Sequence, residues 1–473
     1  MGGDGYVERK HSATDINVNS DSSSLEINAK AKEIFNTEAS DVLKDIEEYS
    51  GVDKHGQKPE FQPEIVAQTI EGDDIQGEMI IANANEKGEV VSKFFTSEGK
   101  TYLLNETGYS KIKALARRLL QQKGFRENIS IETLCEIIFD WVTISFLKKI
   151  SISFCDYLFQ HCETRISAQK ILIPILNLCI QTKFKMGNVE FTPITARIYN
   201  TWIEESILRN KKPEDEAKII EFFELYRKRI QGFAAASMHL IGDPKVVEEK
   251  AIESTVDALS ALKFFHPSAI QPTVICCADQ WGEAFIPSRR YISWNAANDF
   301  TMHSATCFSG KSLWSLSNTA LKIANEGGLG KVSQILEKPK RSQLDQRLIN
   351  ALRLYAKAAS SFDVDTKTVF ILTSLESLLL KNTSESILQN IAERLAIMNG
   401  KDLKDKRRII KLTKDIYGLR SAFVHHAKSI SNTELLSEFM WISWMAVQQI
   451  IAQSHKWRTH SDMIDSIDDI KFS

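Results

Sequence analysis

The sequence predicts a mainly α-helical protein that ends in a helical bundle and contains one minor β-hairpin. Apolar residues recur every three or four positions across residues 110–265, which is the period of an amphipathic helix. The same period returns in five segments after residue 343. One stretch, GEVVSKFFTSEGKTYLL at 88–104, alternates instead and is interrupted by Ser-Glu-Gly, which predicts a hairpin.

The composition is that of a soluble globular protein. The chain has 473 residues, 43% of them hydrophobic and 25% charged, which is enough for two or three domains. The first 60 residues hold no apolar signal segment, and the run ILIPILNLCI at 171–180 is too short to span a bilayer. Seven cysteines without a C-x-x-C predict reduced thiols rather than disulfides or zinc ligands. We therefore expect a cytoplasmic protein without membrane, metal or cofactor.

Three regions follow from shifts in composition. Residues 1–59 are rich in Ser, Asp, Asn and Glu and are expected to form a disordered tail, with room for a short amphipathic helix over 29–49. Residues 60–337 are expected to be mostly helical, although 271–310 are less regular and predict short strands or buried loops. The stretch EKPKRSQ at 337–343 marks a boundary, after which residues 338–473 form a helical domain.

The C-terminal domain is predicted to contain five helices. They cover roughly residues 343–361, 365–380, 384–399, 402–427 and 432–455. The last opens with Ser-Asn-Thr-Glu at 431–434, which predicts a capping box.

Charge is distributed unevenly along the chain. Residues 338–456 hold 19 Lys and Arg and 11 Asp and Glu, which gives this segment a net charge of +8. The whole chain has a net charge of −2, so the remaining residues together carry −10. A basic C-terminal third suits a polyanionic partner, and the alternative is an ordinary solvated face.

Three other patterns favour structural over functional interpretations. SGKS at 309–312 lacks the glycine of a phosphate-binding loop, because Ala305 stands in its place. EGGLGK at 326–331 is typical of a helix C-terminus. His239, His266 and His303 are isolated and lack metal-ligand spacing, so we expect structural or surface roles for them.

A helix over residues 404–426 would have two distinct faces. At about 100° per residue, Leu412, Ile416, Leu419 and Phe423 share a band about 60° wide, which predicts the core face. His426 lies near this band and is expected to pack at the core edge. A basic and polar face lies opposite and is formed by Arg407, Lys411, Lys414, Gly418, Ser421 and His425.

Two features of this helix leave alternatives open. Gly418 costs about 1 kcal/mol relative to alanine in a helix interior, so it indicates either a close approach by a partner or a local kink. Arg420 lies about 140° around the helix from His425. The arginine could sweep towards the histidine, the helix could distort, or a second subunit could complete the site.

Residues 340–456, about a quarter of the chain, resemble a known superfamily. FILTSLESLLL at 370–380, SESILQNIAERLAIM at 384–398 and IYGLRSAFVHH at 416–426 follow one another in order. The last contains R-x4-H, from Arg420 to His425. This arrangement is similar to the HEPN superfamily, in particular to the ApeA-like and Abi-like HEPN domains of bacterial defence proteins.

The resemblance implies a helical bundle that dimerises, with the two motifs facing a shared cleft and acting as a metal-independent endoribonuclease. Arg420 and His425 match the active-site positions, Ser421 fills a slot that is often polar, and Glu376 matches an acidic position loosely. His426 departs from the family, where glycine is common. Ala427 replaces the tyrosine of a variant that pairs with a nucleotidyltransferase.

The residue types suit RNA cleavage by the 2′-hydroxyl. His425 can act as general base or acid near neutral pH, and Arg420 can stabilise the phosphoryl charge. Arg407, Lys411 and Lys414 would hold the RNA backbone. The leading hypothesis is a toxin or abortive-infection effector, whose N-terminal region senses a protein or phage-derived trigger or restrains the nuclease.

Two rival hypotheses remain. A non-catalytic HEPN scaffold would dimerise and bind RNA, a nucleotide or a protein partner without cleavage. In the other, the N-terminal region is the functional part and acts as a protein-interaction module.

Overall fold

The structure, a computed structural model, describes residues 25–49, 82–85, 87–209, 215–280, 288–294, 300–306, 313–382 and 384–470. The chain divides into two compact units. Unit 1 comprises Met1–Gln169 and Leu240–Glu249, and unit 2 comprises Lys170–His239 and Lys250–Ser473. The protein is mainly helical, as the sequence predicts. It also has several small sheets, whereas the predicted fold contained one minor hairpin.

Unit 1 packs helices beside a four-stranded antiparallel sheet of order β1-β4-β3-β2. Its elements are α1 (Ala29–Val42), β1 (Ile46–Glu48), β2 (Ala82–Ala84), β3 (Val90–Ser97), β4 (Lys100–Leu104), α2 (Glu106–Leu119), α3 (Phe125–Asn128), α4 (Ile131–Phe146) and α5 (Phe154–Arg165).

The predicted hairpin at 88–104 is confirmed. Ser97 pairs with Lys100, so Glu98 and Gly99 form a two-residue turn with φ values of 52° and 78°. Positive φ at both turn positions matches the right-handed twist of the flanking strands.

The expected disordered tail over 1–59 is too long. Residues 25–49 are folded, because α1 buries Phe35, Ala39 and Val42 in the core of unit 1. The helix allowed for at 29–49 is present only over Ala29–Val42, because Ile46–Glu48 forms β1. Residues 1–24 and 50–59 lie outside the described residues.

Unit 2 contains a five-stranded sheet of order β10-β5-β9-β8-β7 and a helical bundle. Its elements up to the bundle are β5 (Ser167–Leu176), β6 (Leu178–Ile180), β7 (Phe184–Met186), β8 (Val189–Pro193), α6 (Ala196–Arg209), α7 (Glu216–Ile230), β9 (Ala234–Gly242), α8 (Pro244–Phe264), β10 (Asp279–Gln280), β11 (Ser288–Trp294), β12 (Phe300–Thr306), β13 (Trp314–Leu316), α9 (Asn318–Ala324) and α10 (Gly330–Glu337). Three of these elements, β5, β9 and α8, have one end in unit 1.

The helical prediction for residues 110–265 is wrong where the chain forms strands. The run ILIPILNLCI forms the end of β5 and all of β6, and AAASMHLIG forms β9. A continuous apolar run fits a buried strand as well as a helix, so periodicity does not separate the two. In the less regular segment, β11 and β12 form an antiparallel pair, whereas SGKS at 309–312 lies outside the described residues.

The predicted helix end at EGGLGK is a kink at Gly328, within the turn Asn325–Leu329 that joins α9 to α10. Gly328 has a φ of 120° there, a conformation that side-chain-bearing residues rarely adopt.

All five predicted C-terminal helices are present. They are α11 (Gln343–Ser360), α12 (Val364–Leu379), α13 (Ile387–Asn399), α14 (Leu403–His426) and α15 (Thr433–Gln453), and a further helix, α16 (His460–Asp469), was not predicted. The capping box predicted at 431–434 is wrong, because α15 begins one residue later than predicted. Asn432 is the N-cap of α15 and accepts from the Leu435 N–H at 3.0 Å, which places Glu434 one position too early for a box.

The expected boundary at 337/338 is not a division of the fold. Asp257 of α8 is 2% exposed and accepts from Arg341 at 2.9 Å and from Arg353 at 2.5 Å. Phe264 stacks on Trp444 at 5.7 Å between ring centroids. The bundle therefore shares its core with residues that precede the boundary.

In the part of the chain that the structure describes, one helix is long and apolar enough to cross a membrane by length and composition, and it is α15. Half of its apolar window is buried inside the protein, which is also the pattern of a core helix.

Candidate functional site

Helix α14 carries the R-x4-H motif and runs without interruption from Leu403 to His426. It begins at Asp402, whose side chain accepts from the Asp405 N–H at 2.8 Å, and it ends at Ala427, whose φ of 51° stops the helix. The unbroken helix gives no sign of the distortion that would bring Arg420 closer to His425.

The core side of α14 is well buried in its middle and open towards its C-terminus. Leu412 and Ile416 are buried as predicted, whereas Leu419 and Phe423 are only half-buried. Neighbouring helices therefore cover the first part of the predicted core face more fully than its end.

The opposite side of α14 is an exposed basic stripe, defined here as Arg407, Lys411, Lys414, Ser421 and His425. No carboxylate among the described residues pairs with the three cations of the basic stripe. Arg408, just off the stripe, pairs instead with Asp405 and Glu438. The stripe cations are thus available to an anionic ligand, although Asp415 is exposed on the same helix.

His425 and His426 are both exposed, with ring centroids 6.5 Å apart. The prediction that His426 packs at the core edge is wrong. Residues 424–429 are all exposed, so the last turn of α14 extends past the side chains that could have covered it.

Arg420 is half-buried, and its Nε atom is buried without a hydrogen-bond partner in the described part of the chain. It lies close to Tyr417, whose hydroxyl donates to Oε1 of Glu376 at 3.1 Å. Burial raises the pKa of Tyr417, the Glu376 carboxylate raises it further, and the positive charge of Arg420 opposes both effects. Glu376, Tyr417 and Arg420 therefore form one partly buried cluster.

The structure thus brings some predicted site residues together and keeps others apart. Tyr417 donates to Glu376 and is within electrostatic range of Arg420, but no hydrogen bond or ion pair in the described residues links Glu376 or Arg420 to His425. Ser421 and His425 lie on the basic stripe instead. A single chain therefore presents the arginine and the histidine on different sides of the helix.

Tyr417 was missed by the sequence analysis. It lies three residues before Arg420, a spacing that places two side chains next to each other on a helix, and this spacing could have identified it.

Gly418 has open space around it. A Cβ atom added there would meet nothing within 4 Å, and α14 continues through it. No described residue of the chain approaches Gly418 closely enough to explain the glycine.

No group of three or more His, Cys, Asp or Glu among the described residues is placed to hold a metal ion. Compared with known proteins, the chain matches no protein-family model, no curated protein and no solved structure. The resemblance to the HEPN superfamily therefore stays a prediction.

Proposed function

We propose that the protein is a metal-independent endoribonuclease of the HEPN type, acting as a toxin or anti-phage effector. The observation that carries this proposal is the basic stripe of α14. Three cations without carboxylate partners lead along one exposed face to His425, and Arg420 lies five residues before that histidine.

The stripe supports binding of a phosphate backbone. Arg407, Lys411 and Lys414 are spaced by four and three residues, so they follow the helix axis over about 10 Å. Unpaired surface cations release counterions when they contact phosphates, which gives affinity without base specificity.

His425 supports the proton transfer. An exposed imidazole at the end of the stripe can take the proton from a 2′-hydroxyl or give one to the leaving 5′-oxygen. Attack of the 2′-oxygen on the adjacent phosphorus would expel that 5′-oxygen and leave a 2′,3′-cyclic phosphate.

Arg420 supports charge stabilisation. Its guanidinium stays protonated, and the buried Nε together with the neighbouring Tyr417–Glu376 hydrogen bond limits where the side chain can go. In this proposal Glu376 positions Arg420 through Tyr417 and does not contact RNA.

The test is cleavage of total cellular RNA by the purified full-length protein in EDTA. His425→Ala should lower the cleavage rate by at least about 100-fold, the usual contribution of a general acid or base. His426→Ala is the matched control, because it removes the exposed neighbouring imidazole, and it should leave the rate within about twofold. Cleavage that survives His425→Ala, or that falls equally in both variants, contradicts the proposal.

A non-catalytic HEPN scaffold is the second candidate. It is favoured by the separation of Arg420 and His425 on an unbroken helix. RNA binding that depends on Lys411 and Lys414, without cleavage by the wild-type protein, would support it.

A further inference from the structure

Unit 2 contains a cavity of ≈ 770 Å³ that the proposed ribonuclease site does not use. It lies between the C-terminal end of α8, the turn Pro267–Ala269, β13, α9, the kinked turn Asn325–Leu329 and α15. This volume falls within the range of small-molecule sites, which are concave and mostly apolar.

The cavity has aromatic walls in fixed positions. Trp444 lines it and donates its indole N–H to the Phe264 carbonyl at 2.8 Å. Phe265 meets Trp444 edge to face at 6.2 Å, and Trp314 meets the His266 ring in the same manner at 4.8 Å. Such walls suit a planar aromatic ring, which gains from edge and face contacts.

The described lining of the cavity carries no charged side chain. None of its described lining residues is an Asp, Glu, Lys or Arg. A phosphate or carboxylate group would lose its hydration there without gaining a counterion, so the cavity selects against charged ligands.

His266 supplies one directed hydrogen-bond donor. Its Nδ1 accepts from the Ser268 N–H at 3.1 Å, so the neutral ring carries its proton on Nε2. The ring is 8% exposed, and no described residue accepts from Nε2. Burial, together with the charges of Lys367 and Lys263, lowers the pKa of His266 to about 4, so the ring is neutral at physiological pH.

The kinked turn Asn325–Leu329 shapes the remaining wall. Gly327 accepts from the Gln448 amide at 2.9 Å, and a Cβ on Gly327 would press against that amide nitrogen at 3.0 Å. This bond uses one donor of Gln448 and leaves its amide oxygen as an acceptor at the cavity.

We propose that this cavity binds an uncharged, planar aromatic small molecule with a carbonyl or ring-nitrogen acceptor, which takes a hydrogen bond from His266 Nε2. The inference does not depend on the ribonuclease proposal, because it shares no residue with the basic stripe or with Arg420.

The first experiment measures binding of Nile red, an uncharged planar dye with one ring carbonyl, to the full-length protein. Ala320 is exposed at the mouth of the cavity, so Ala320→Trp should block the cavity at little cost to folding. We expect this substitution to weaken binding at least about tenfold and to remove the dye-induced quenching of tryptophan fluorescence. Phe222→Ser, on the exposed apolar side of α7, is the matched control and should leave the affinity within about twofold.

The second experiment tests the donor. His266→Asn keeps an acceptor for the Ser268 N–H but is too short to place a donor where Nε2 lies. Nile red affinity should fall about three- to tenfold, the usual value of one neutral hydrogen bond. The affinity of pyrene, which has no acceptor, should change by less than about twofold.

Any of three results would overturn the proposal. The first is the absence of Nile red binding to the wild-type protein, and the second is binding that Ala320→Trp leaves unchanged. The third is an equal effect of His266→Asn on both dyes. If His266→Asn fails to fold, the Ala320→Trp comparison still decides whether the cavity is the site.

Discussion

Individual side chains of the same type have opposite environments in this protein. His266 is buried and held neutral, whereas His425 is exposed at the end of an unpaired basic stripe. A macromolecular substrate such as RNA can reach only the second of these. Environment therefore assigns His425 to the proposed proton transfer and His266 to the small cavity.

The buried state of His266 predicts acid sensitivity. Its pKa is about 4 in the folded protein and is about 6.5 in an unfolded chain, so between these pH values only the unfolded state binds the extra proton. Stability should therefore fall as the pH drops through this window, by about 2 kcal/mol between pH 7.5 and 5 from this group.

Urea unfolding of the wild-type protein and of His266→Asn at pH 7.5 and pH 5 measures the contribution of His266 to the pH dependence of stability. The asparagine keeps the cap but cannot titrate, so its pH dependence should be smaller by that amount. An identical pH dependence in the two proteins would show that His266 is not held neutral.

Single-residue predictions from the sequence succeeded where the helical period alone decides exposure. The stripe of Arg407, Lys411, Lys414 and His425 followed from 100° per residue. His426 was misplaced because its burial depends on how far the neighbouring helices extend along α14. The Tyr417–Glu376 bond also depends on packing between two helices, which the period does not reveal.

The helices of the bundle are predicted closely because each has an apolar stripe and ends at polar residues. The sequence predicts helix at the strands β5, β6 and β9 because they are apolar and their apolar and polar residues do not clearly alternate. The missed helix α16 is short and acidic, and a side chain from another helix attaches it to the bundle. That side chain is Arg394 of α13.

Arg394 joins three elements and is 2% exposed. It donates to Glu385 at 2.8 and 2.9 Å, to Asp468 of α16 at 2.8 and 2.9 Å, and to the Leu379 carbonyl at the end of α12. Burial would lower its pKa, but these bonds raise it, so the guanidinium remains charged.

Arg394→Ala should destabilise the bundle by about 3–5 kcal/mol, because it leaves partly buried carboxylates without their counterion. Hydrogen exchange should show α16 losing protection first, since Asp468 loses its anchor to α13. Arg408→Ala is the control: Arg408 also pairs with two carboxylates, but it is exposed, so its loss should cost less than about 1 kcal/mol. Equal costs for the two substitutions would contradict this account.

Across the whole molecule, the bundle depends on chain segments far away in sequence. Lys367 of α12 is fully buried and donates to the Val274 carbonyl at 2.7 Å, and the Cys276 N–H donates to the Ala359 carbonyl at 2.9 Å. Burial lowers the pKa of Lys367 to about 8. Residues 338–473 alone would lose these contacts, so functional tests need the full-length chain.

The separation of Arg420 and His425 predicts a site shared between two copies of the chain. In a symmetric dimer, the Arg420 of one subunit would meet the His425 of its partner, without a distortion of α14 or a movement of the arginine around it. Arg420→Ala and His425→Ala would each destroy every such site in a homodimer. A mixed dimer of the two variants would keep one intact site of two.

The two inactive variants should therefore recover RNA cleavage when they are unfolded, mixed in equal amounts and refolded together. Random pairing makes half of the dimers mixed, so about a quarter of the wild-type rate is expected. Refolding each variant alone is the control and should give no recovery. If the mixture stays inactive while sedimentation confirms mixed dimers, the arginine and histidine must act within one chain, and the side chain of Arg420 must then swing around α14 to reach His425.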